Sequence, residues 1–301
     1  MRRRHARLDR VAVAVVTRGL LLAPVLVTLL QLGTGWAEPP PPAAIPTGRL
    51  DIPEWKARHE AKVLEARSRQ VDLVLLGDSI TEQYEFAGPE PFLDFSSVWQ
   101  RFYAGRHALN LGFSGDGTPH LLWRVMHGEI DGIAPKVAMI LIGANNIGWL
   151  NWSAADTVNG IEAVVIEVHR RLPATKILLV GVLPSDRGAL VAQETAEINT
   201  ALAARYGDGA LPAVTFRDVS ASFLKDGAVD SSLFRDPQQT APEPALHPSP
   251  KGQARLAAAL EPTLSALLED HPLDDTVATR SRPRRSQVRV RRRSCARPSP
   301  A

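Results

Sequence analysis

The sequence contains almost no cysteine and no long apolar run, and each absence excludes a class of protein. Its single cysteine is Cys295, so no disulfide can form within this chain. Its most apolar uncharged stretch, residues 19–32, has 14 residues, fewer than the roughly 20 that a membrane-spanning helix needs. No segment recurs at a fixed period. A disulfide-stapled fold, a polytopic membrane protein and a repeat protein are therefore not expected.

The N-terminus has the order of residues that secretory signals have. It begins Met-Arg-Arg-Arg, continues into the apolar stretch and reaches small residues around Ala37. This order predicts a signal peptide over residues 1–37, cleaved after Ala37. An uncleaved membrane anchor is the alternative, but Arg18 interrupts the apolar stretch if it is extended backwards. We expect a periplasmic or secreted protein with no stable membrane span after cleavage.

Positive charge is concentrated at the two ends of the chain. Residues 1–36 carry six arginines and one aspartate, and residues 280–301 carry nine arginines and no acid, whereas the whole chain is formally +3. The segment between them is therefore net acidic, and the basic balance is no reason to expect nucleic-acid binding. Four consecutive prolines in residues 38–46 predict a stiff linker, and residues 271–301 are expected to be a disordered tail, solvated or touching anionic lipid or polysaccharide.

Residues 47–270 alternate short apolar runs with segments of helical character. This alternation predicts a parallel, doubly wound sheet in one three-layer α/β/α domain. The predicted strands are residues 71–77, 107–111, 137–142, 176–183 and 213–219, and the predicted helices are residues 52–70, 119–127, 154–171, 191–206 and 250–268.

The first predicted strand ends abruptly in Gly77-Asp78-Ser79. Ligand sites in open α/β sheets collect at the carboxyl ends of strands, and a backbone N–H at a helix start can donate to a developing anion. Ser79 is therefore a candidate nucleophile. The alternative is that Asp78 or Ser79 simply caps the following helix.

A serine nucleophile needs a base, and the histidines are the candidates. His247 lies in a short proline-rich loop before the last predicted helix, whereas His59 and His169 are expected on exposed helix faces. His120 and His127 are two helical turns apart, wider than the spacing of a metal-binding pair, so no metal site is expected.

Two further strand ends carry possible donors for an oxyanion. Residues 110–117 form a glycine-dense loop whose backbone can approach a ligand closely, and residues 142–146 contain two asparagines with amide donors. Each segment alone could be an ordinary turn. Because parallel strands end at one edge of the sheet, we expect both loops to lie beside Ser79.

These segments together resemble the SGNH (GDSL-type) serine hydrolase superfamily, and specifically the bacterial relatives of platelet-activating-factor acetylhydrolase catalytic subunits. The matching blocks are residues 77–80, residues 110–116 with 120–124, residues 143–146, and residues 246–248 with Gly252. The resemblance covers about residues 71–268 and implies a flavodoxin-like fold with strand order 2-1-3-4-5. It implies Ser79 as nucleophile, His247 as general base, an oxyanion hole of the Ser79 and Gly115 N–H groups with the Asn145 side chain, and no cofactor.

One position departs from the family pattern. The family places an aspartate three residues before the histidine, where this chain has Pro244. An aspartate there holds the imidazole tautomer and stabilises its cation, which proline cannot do. Glu243, Asp236 or a backbone carbonyl could take over that part, the last leaving a Ser-His dyad.

The substrate is expected to be a short-chain ester. Trp149 and Trp152 follow the asparagine block and could stack on a sugar ring or an acyl chain, or pack within the loop. An exported relative of this type is similar to esterases that deacetylate carbohydrate, with relatives associated with exopolysaccharide or cellulose production. A lipid esterase or lysophospholipase is one alternative, and a catalytically impaired carbohydrate-binding protein is another. The oligomeric state does not follow from the sequence.

Overall fold

The computed structural model describes residues 40–88, 93–207, 211–234 and 244–273. The predicted signal peptide lies outside these residues, as does the arginine-rich tail beyond residue 273. Within the described ranges, no helix is both long and apolar enough to cross a bilayer.

A five-stranded parallel sheet organises the domain. Its order is β2-β1-β3-β4-β5, which confirms the predicted strand order and the α/β class. Three of the ten strand ends coincide with the predicted ones, and the others differ by one to three residues. The strands are β1 Leu73–Gly77, β2 Ala108–Gly112, β3 Val137–Leu141, β4 Lys176–Val180 and β5 Val214–Arg217, followed by a two-stranded hairpin of β6 Leu224–Lys225 and β7 Ala228–Val229.

Helices cover both faces of the sheet. Two of the predicted helices, residues 154–171 and 250–268, have the bounds that the sequence pattern indicated. The helices are α1 Pro53–Ser68, α2 Ser79–Glu82, α3 Ser96–Phe102, α4 Thr118–Met126, α5 Ala144–Gly148, α6 Ala154–Arg171, α7 Ala189–Tyr206 and α8 Pro250–Leu268. Ser153 and Ser249 cap α6 and α8, since each side chain accepts a backbone N–H in the first turn.

The strands are apolar on both faces because each face is buried. In β1, Val74 and Leu76 pack into the core beneath α4, α6 and α7, whereas Leu73 and Leu75 pack into the core beneath α3 and α8. Burial on two sides is why the strands appear in the sequence as continuous apolar runs without alternation. The three-layer sandwich follows from these two cores.

The proline-rich segment is not only a stiff extended linker. Pro42–Ala44 forms a short 3-10 turn, and Ala43 is completely buried. At the start of α4, the Thr118 hydroxyl donates to the Ala43 carbonyl at 2.7 Å. On the α6 side, a β-carbon on Gly160 would lie 2.6 Å from the same carbonyl oxygen. The end of the predicted linker is therefore part of the packed domain.

The expected exposure of His59 is wrong. His59 is buried, and its Nδ1 lies 2.8 Å from Glu129 Oε1. Lys62, one turn further along α1, is also buried and is paired with Glu65 and Glu85. His59 and Lys62 can be buried because carboxylates outside α1 pair with them. The polar sequence of this helix face therefore does not mean that the face is exposed.

Candidate active site

The turn after β1 presents Ser79 as the first residue of α2. A β-carbon on Gly77 would lie 2.2 Å from Thr81 Oγ1 and 2.5 Å from the Leu141 carbonyl oxygen, so this close approach requires glycine. Asp78 accepts the Ile80 N–H at 2.9 Å and caps α2. Asp78 therefore fulfils the capping alternative, while the Ser79 hydroxyl remains available for other contacts.

The structure brings Ser79 and His247 together across 168 residues of chain. Ser79 Oγ lies 2.9 Å from His247 Nε2, and both side chains are partly exposed. The histidine loop is held on either side of His247. The Ala245 carbonyl accepts the Asp186 N–H at 2.8 Å, and the Ser249 N–H donates to the Leu233 carbonyl at 2.9 Å. This geometry allows an imidazole to accept the serine proton.

Gly115 has a backbone conformation and surroundings that exclude other residues. Its φ is +77°, in the left-handed region. A β-carbon there would lie 2.8 Å from the Trp149 ring and 3.1 Å from the Arg49 guanidinium. Glycine therefore keeps this loop close to the neighbouring side chains.

The Asn145 side chain ties the loop after β3 to the glycine loop. Its Nδ2 donates to the Asp116 carbonyl at 2.9 Å, and it is buried. The next residue, Asn146, accepts the Thr118 N–H at 3.0 Å. An amide nitrogen carries two N–H groups, and the Asp116 carbonyl accepts one of them. The Phe113 N–H bonds to the Gly77 carbonyl at 3.2 Å, which joins the glycine loop to the serine turn.

Burial shifts the protonation of two groups around these loops. Burial, with repulsion from Asp116, raises the pKa of Asp78 to about 7, although the Ile80 N–H and the Arg187 charge oppose the shift. Burial, with the nearby charges of Arg49 and Arg124, lowers the pKa of His120 to about 4. His120 is therefore neutral at pH 7. Its Nδ1 accepts the Gly117 N–H at 2.9 Å, so the ring proton lies on Nε2.

His120 and His127 make separate contacts. Whereas His120 accepts a hydrogen bond in the glycine loop, the His127 ring stacks on Trp123 with centroids 3.8 Å apart. No group of three or more potential metal-ligating side chains occurs among the described residues.

Trp149 lies at the rim of this site. Its side chain is 59% exposed, its ring borders Gly115, and the Arg49 guanidinium carbon is 6.0 Å from the ring centroid. Trp152 is half-buried, and its backbone N–H donates to the Asn146 carbonyl at 2.9 Å. An exposed aromatic face is therefore available beside Gly115.

Asp236 and Glu243 are the carboxylates expected to orient His247 in place of the family aspartate. Pro244 is exposed, three residues before the histidine. Asp236 and Glu243, the two carboxylates expected as replacements, lie outside the described residues. Their roles stay predictions.

Sequence reasoning missed the charged residues buried behind the glycine loop and the loop after β3. Arg124, Asp116 and Glu129 are all fully buried and joined by ion pairs. A signal was present, because Arg124 follows Leu121 by three residues and so falls on the apolar face of α4. A charge at a core position of an amphipathic helix indicates a buried network.

A doubly wound parallel sheet with a serine and a histidine in hydrogen-bond distance at its carboxyl edge defines the class of α/β serine hydrolases. Comparison with protein families identifies one family within this class. Residues 75–255 match the GDSL-like Lipase/Acylhydrolase family, and the chain belongs to that family. It is a carboxylic ester hydrolase, and the resemblance drawn from its motifs is confirmed.

Named relatives agree with this assignment. The chain is 31% identical over 239 residues to platelet-activating factor acetylhydrolase IB subunit alpha2 of Rattus norvegicus, covering 77% of this chain and 93% of the relative. It is 30% identical to the Gallus gallus alpha2 subunit, over 79% and 96% of the two chains. A GDSL-like lipase from Bacteroides thetaiotaomicron has the same fold, with a TM-score of 0.51, 15% identity, and coverage of 70% and 98%.

Proposed function

We propose that this chain hydrolyses acetyl and other short-chain esters through an acyl-enzyme on Ser79. The observation that carries the proposal is the 2.9 Å distance between Ser79 Oγ and His247 Nε2 at the carboxyl edge of the sheet. His247 accepts the hydroxyl proton while Oγ bonds to the ester carbonyl carbon. The tetrahedral intermediate then expels the alcohol, which takes the proton from His247. Water repeats both steps on the acyl-enzyme and releases the acid.

The oxyanion of each intermediate needs donors that are already in position. The Ser79 and Gly115 N–H groups and the second Asn145 amide hydrogen are the donors we assign. Two observations support this: the left-handed Gly115, and the Asn145 amide anchored on the Asp116 carbonyl. Removal of one such donor costs about 3 to 4 kcal/mol of transition-state stabilisation.

The acetyl group is proposed from the relatives, and the alcohol from the rim of the site. Relatives at about 30% identity are named acetylhydrolases. The exposed Trp149 face beside Gly115 suits stacking on a sugar ring. With the predicted signal peptide, this favours an exported esterase acting on acetylated carbohydrate or exopolysaccharide.

A lipid ester is the second candidate substrate. It is favoured by the name of the relatives, platelet-activating factor acetylhydrolase, since that name specifies a lipid-type substrate for them. An alkyl chain could also lie on the Trp149 face. A catalytically impaired carbohydrate-binding protein is no longer a candidate, because the chain is a carboxylic ester hydrolase.

The first test is hydrolysis of p-nitrophenyl acetate, butyrate and octanoate by the wild type, Ser79→Ala and His247→Ala. Acetate is expected to be cleaved fastest, and both variants to lose at least about 1,000-fold in kcat. Ser68→Ala and His169→Ala are matched controls, since Ser68 lies at the exposed end of α1 and His169 on the exposed face of α6. Hydrolysis by Ser79→Ala or His247→Ala at the wild-type rate would overturn the proposed Ser79 mechanism.

The second test separates the alcohols. Acetylated xylo- and cello-oligosaccharides are compared with an acetylated ether phospholipid, using the wild type and Trp149→Ala. If carbohydrate is the substrate, Trp149→Ala raises KM for the oligosaccharides about 10-fold and leaves p-nitrophenyl acetate within about 2-fold. Faster turnover of the phospholipid than of every oligosaccharide would overturn the carbohydrate assignment and leave the esterase intact.

A further inference from the structure

Arg124 is a completely buried arginine whose guanidinium contacts several segments of the candidate site. It donates to the Gly77 carbonyl at 3.1 Å, to the Leu111 carbonyl at 3.2 Å and to Asp116 Oδ2 at 2.8 Å, and it is paired with Glu129. A guanidinium has five N–H donors in a rigid plane, so a single side chain can fix these acceptors relative to one another.

Each of the three oxyanion-donor segments depends on one of these acceptors. The Gly77 carbonyl lies two residues before Ser79, and Asp116 is next to Gly115 in the glycine loop. The Asp116 carbonyl accepts the Asn145 amide at 2.9 Å, which extends the same link to the third donor. Arg124 therefore joins the serine turn directly, the glycine loop directly and Asn145 through Asp116.

The surroundings of Arg124 hold it in one place. The Phe113 ring centroid is 3.9 Å from the guanidinium carbon, a stacked cation–π contact. Both carboxylate partners have a second partner of their own. Trp55 Nε1 donates to Asp116 Oδ1 at 2.8 Å, and His59 Nδ1 lies 2.8 Å from Glu129 Oε1. A buried network in which every charge is paired has little freedom to rearrange.

We infer that Arg124 is a positioning residue of the esterase site, which sets the mutual geometry of the Ser79, Gly115 and Asn145 oxyanion donors from behind. This inference rests on the proposed function. Because the oxyanion exists only in the intermediates and the flanking transition states, a misplaced donor lowers kcat and leaves ground-state binding intact. If Arg124 were purely structural, its loss would lower the thermal midpoint of unfolding without separating the effect on kcat from the effect on KM.

Arg106 offers a matched comparison. It is also a buried arginine held by two carboxylates, with Glu261 at 2.7 Å and Asp270 at 2.8 Å. It lies two residues before β2, at the amino end of the sheet and away from the serine turn. Arg106→Met therefore removes an equivalent buried charge without touching the serine turn, the glycine loop or the loop after β3.

The experiment compares Arg124→Met, Arg124→Lys and Arg106→Met with the wild type. It measures kcat and KM for p-nitrophenyl acetate, the inhibition constant of phenylboronic acid, and the thermal midpoint. A boronic acid forms a tetrahedral anionic adduct with a serine and so reports on the oxyanion hole without turnover. Arg124→Met is expected to lose at least about 100-fold in kcat, to keep KM within about 3-fold and to weaken the boronate in the same ratio as kcat.

The comparison variants decide the outcome. Arg106→Met is expected to lower the thermal midpoint and to keep kcat and the boronate constant within about 3-fold. If Arg124→Met does not fold because Asp116 and Glu129 lose their counter-charge, Arg124→Lys provides the same readouts with a loss of about 10-fold. Equal losses in kcat for folded Arg124 and Arg106 variants, or a kcat loss without weaker boronate binding, would overturn the inference. A wild type without Ser79-dependent hydrolysis overturns the proposed function first.

Discussion

At the scale of single residues, Gly115 combines a left-handed conformation with two close neighbours. Gly115→Ala is expected to lower kcat for p-nitrophenyl acetate at least about 100-fold, because the added methyl would displace the loop from Trp149 and Arg49 and move the N–H donor. Gly132→Ala is the matched control. Its φ of +81° carries the same strain of about 1 to 2 kcal/mol, but nothing lies within 4 Å of its β-carbon. Similar kinetics for both variants would show that Gly115 has no special part in the site.

Asp78 is a buried carboxyl whose ionisation is opposed by its surroundings. Since burial raises its pKa to about 7, the folded protein binds a proton more tightly than the unfolded chain does. Its contribution to stability is therefore present at low pH and is lost as pH rises toward 7. Asp78→Asn avoids this loss while keeping an oxygen to accept the Ile80 N–H. The variant should gain up to about 4 kcal/mol on the wild type between pH 4 and pH 8.

Urea unfolding at the two pH values measures this difference. The wild type and Asp78→Asn are unfolded side by side at pH 4 and at pH 8, and their free energies of unfolding are subtracted. A difference that does not change with pH would mean that Asp78 stays ionised in the folded protein at both values, with Arg187 as the nearby charge that could hold it so.

At the scale of secondary-structure elements, the contact between the Pro42–Ala44 turn and α6 reverses an ordinary expectation. In an exposed helix interior, replacing glycine by alanine stabilises by about 1 kcal/mol. Gly160 lies inside α6, but a β-carbon there would meet Thr118 Oγ1 at 2.2 Å and the Ala43 carbonyl oxygen at 2.6 Å. We expect Gly160→Ala to destabilise by about 1 to 3 kcal/mol, seen as a lower thermal midpoint. A higher midpoint would show that the turn does not pack on α6.

The elements also show what sequence patterns could and could not predict. The five strands were predictable because each is an uninterrupted apolar run, and Ser79 was found because it follows a strand end. Gly115 and Asn145 were assigned through the family resemblance of the loops that follow two further strands. The burial of His59 was not predictable, since its partner Glu129 is 70 residues away in another element. The packed turn at Ala43 was missed for the same reason, because consecutive prolines indicate local stiffness and say nothing about a distant partner.

At the scale of the whole molecule, the fold brings loops from three separate strands to one edge of the sheet. Gly77 pairs with Gly112 on one side and with Leu141 on the other, so the three strands that carry the serine turn, the glycine loop and the asparagine loop end level with one another. His247 arrives from the far end of the chain, before α8. The Gln253 side-chain amide donates a hydrogen bond to the Ile80 carbonyl at 2.6 Å, which links α8 to α2. The proposed catalysis by Ser79 and His247 therefore depends on packing between distant segments.

Trapping the acyl-enzyme shows whether Ser79 carries the acyl group during turnover. The wild type is mixed with p-nitrophenyl acetate, quenched in acid during the first turnover, and digested for mass spectrometry, with Ser79→Ala treated in parallel. We expect one acetyl group on the peptide that contains Ser79, formed with a burst of p-nitrophenol, and none in the variant. Steady hydrolysis by Ser79→Ala at the wild-type rate, with no acetyl group on Ser79 in either protein, would contradict the account.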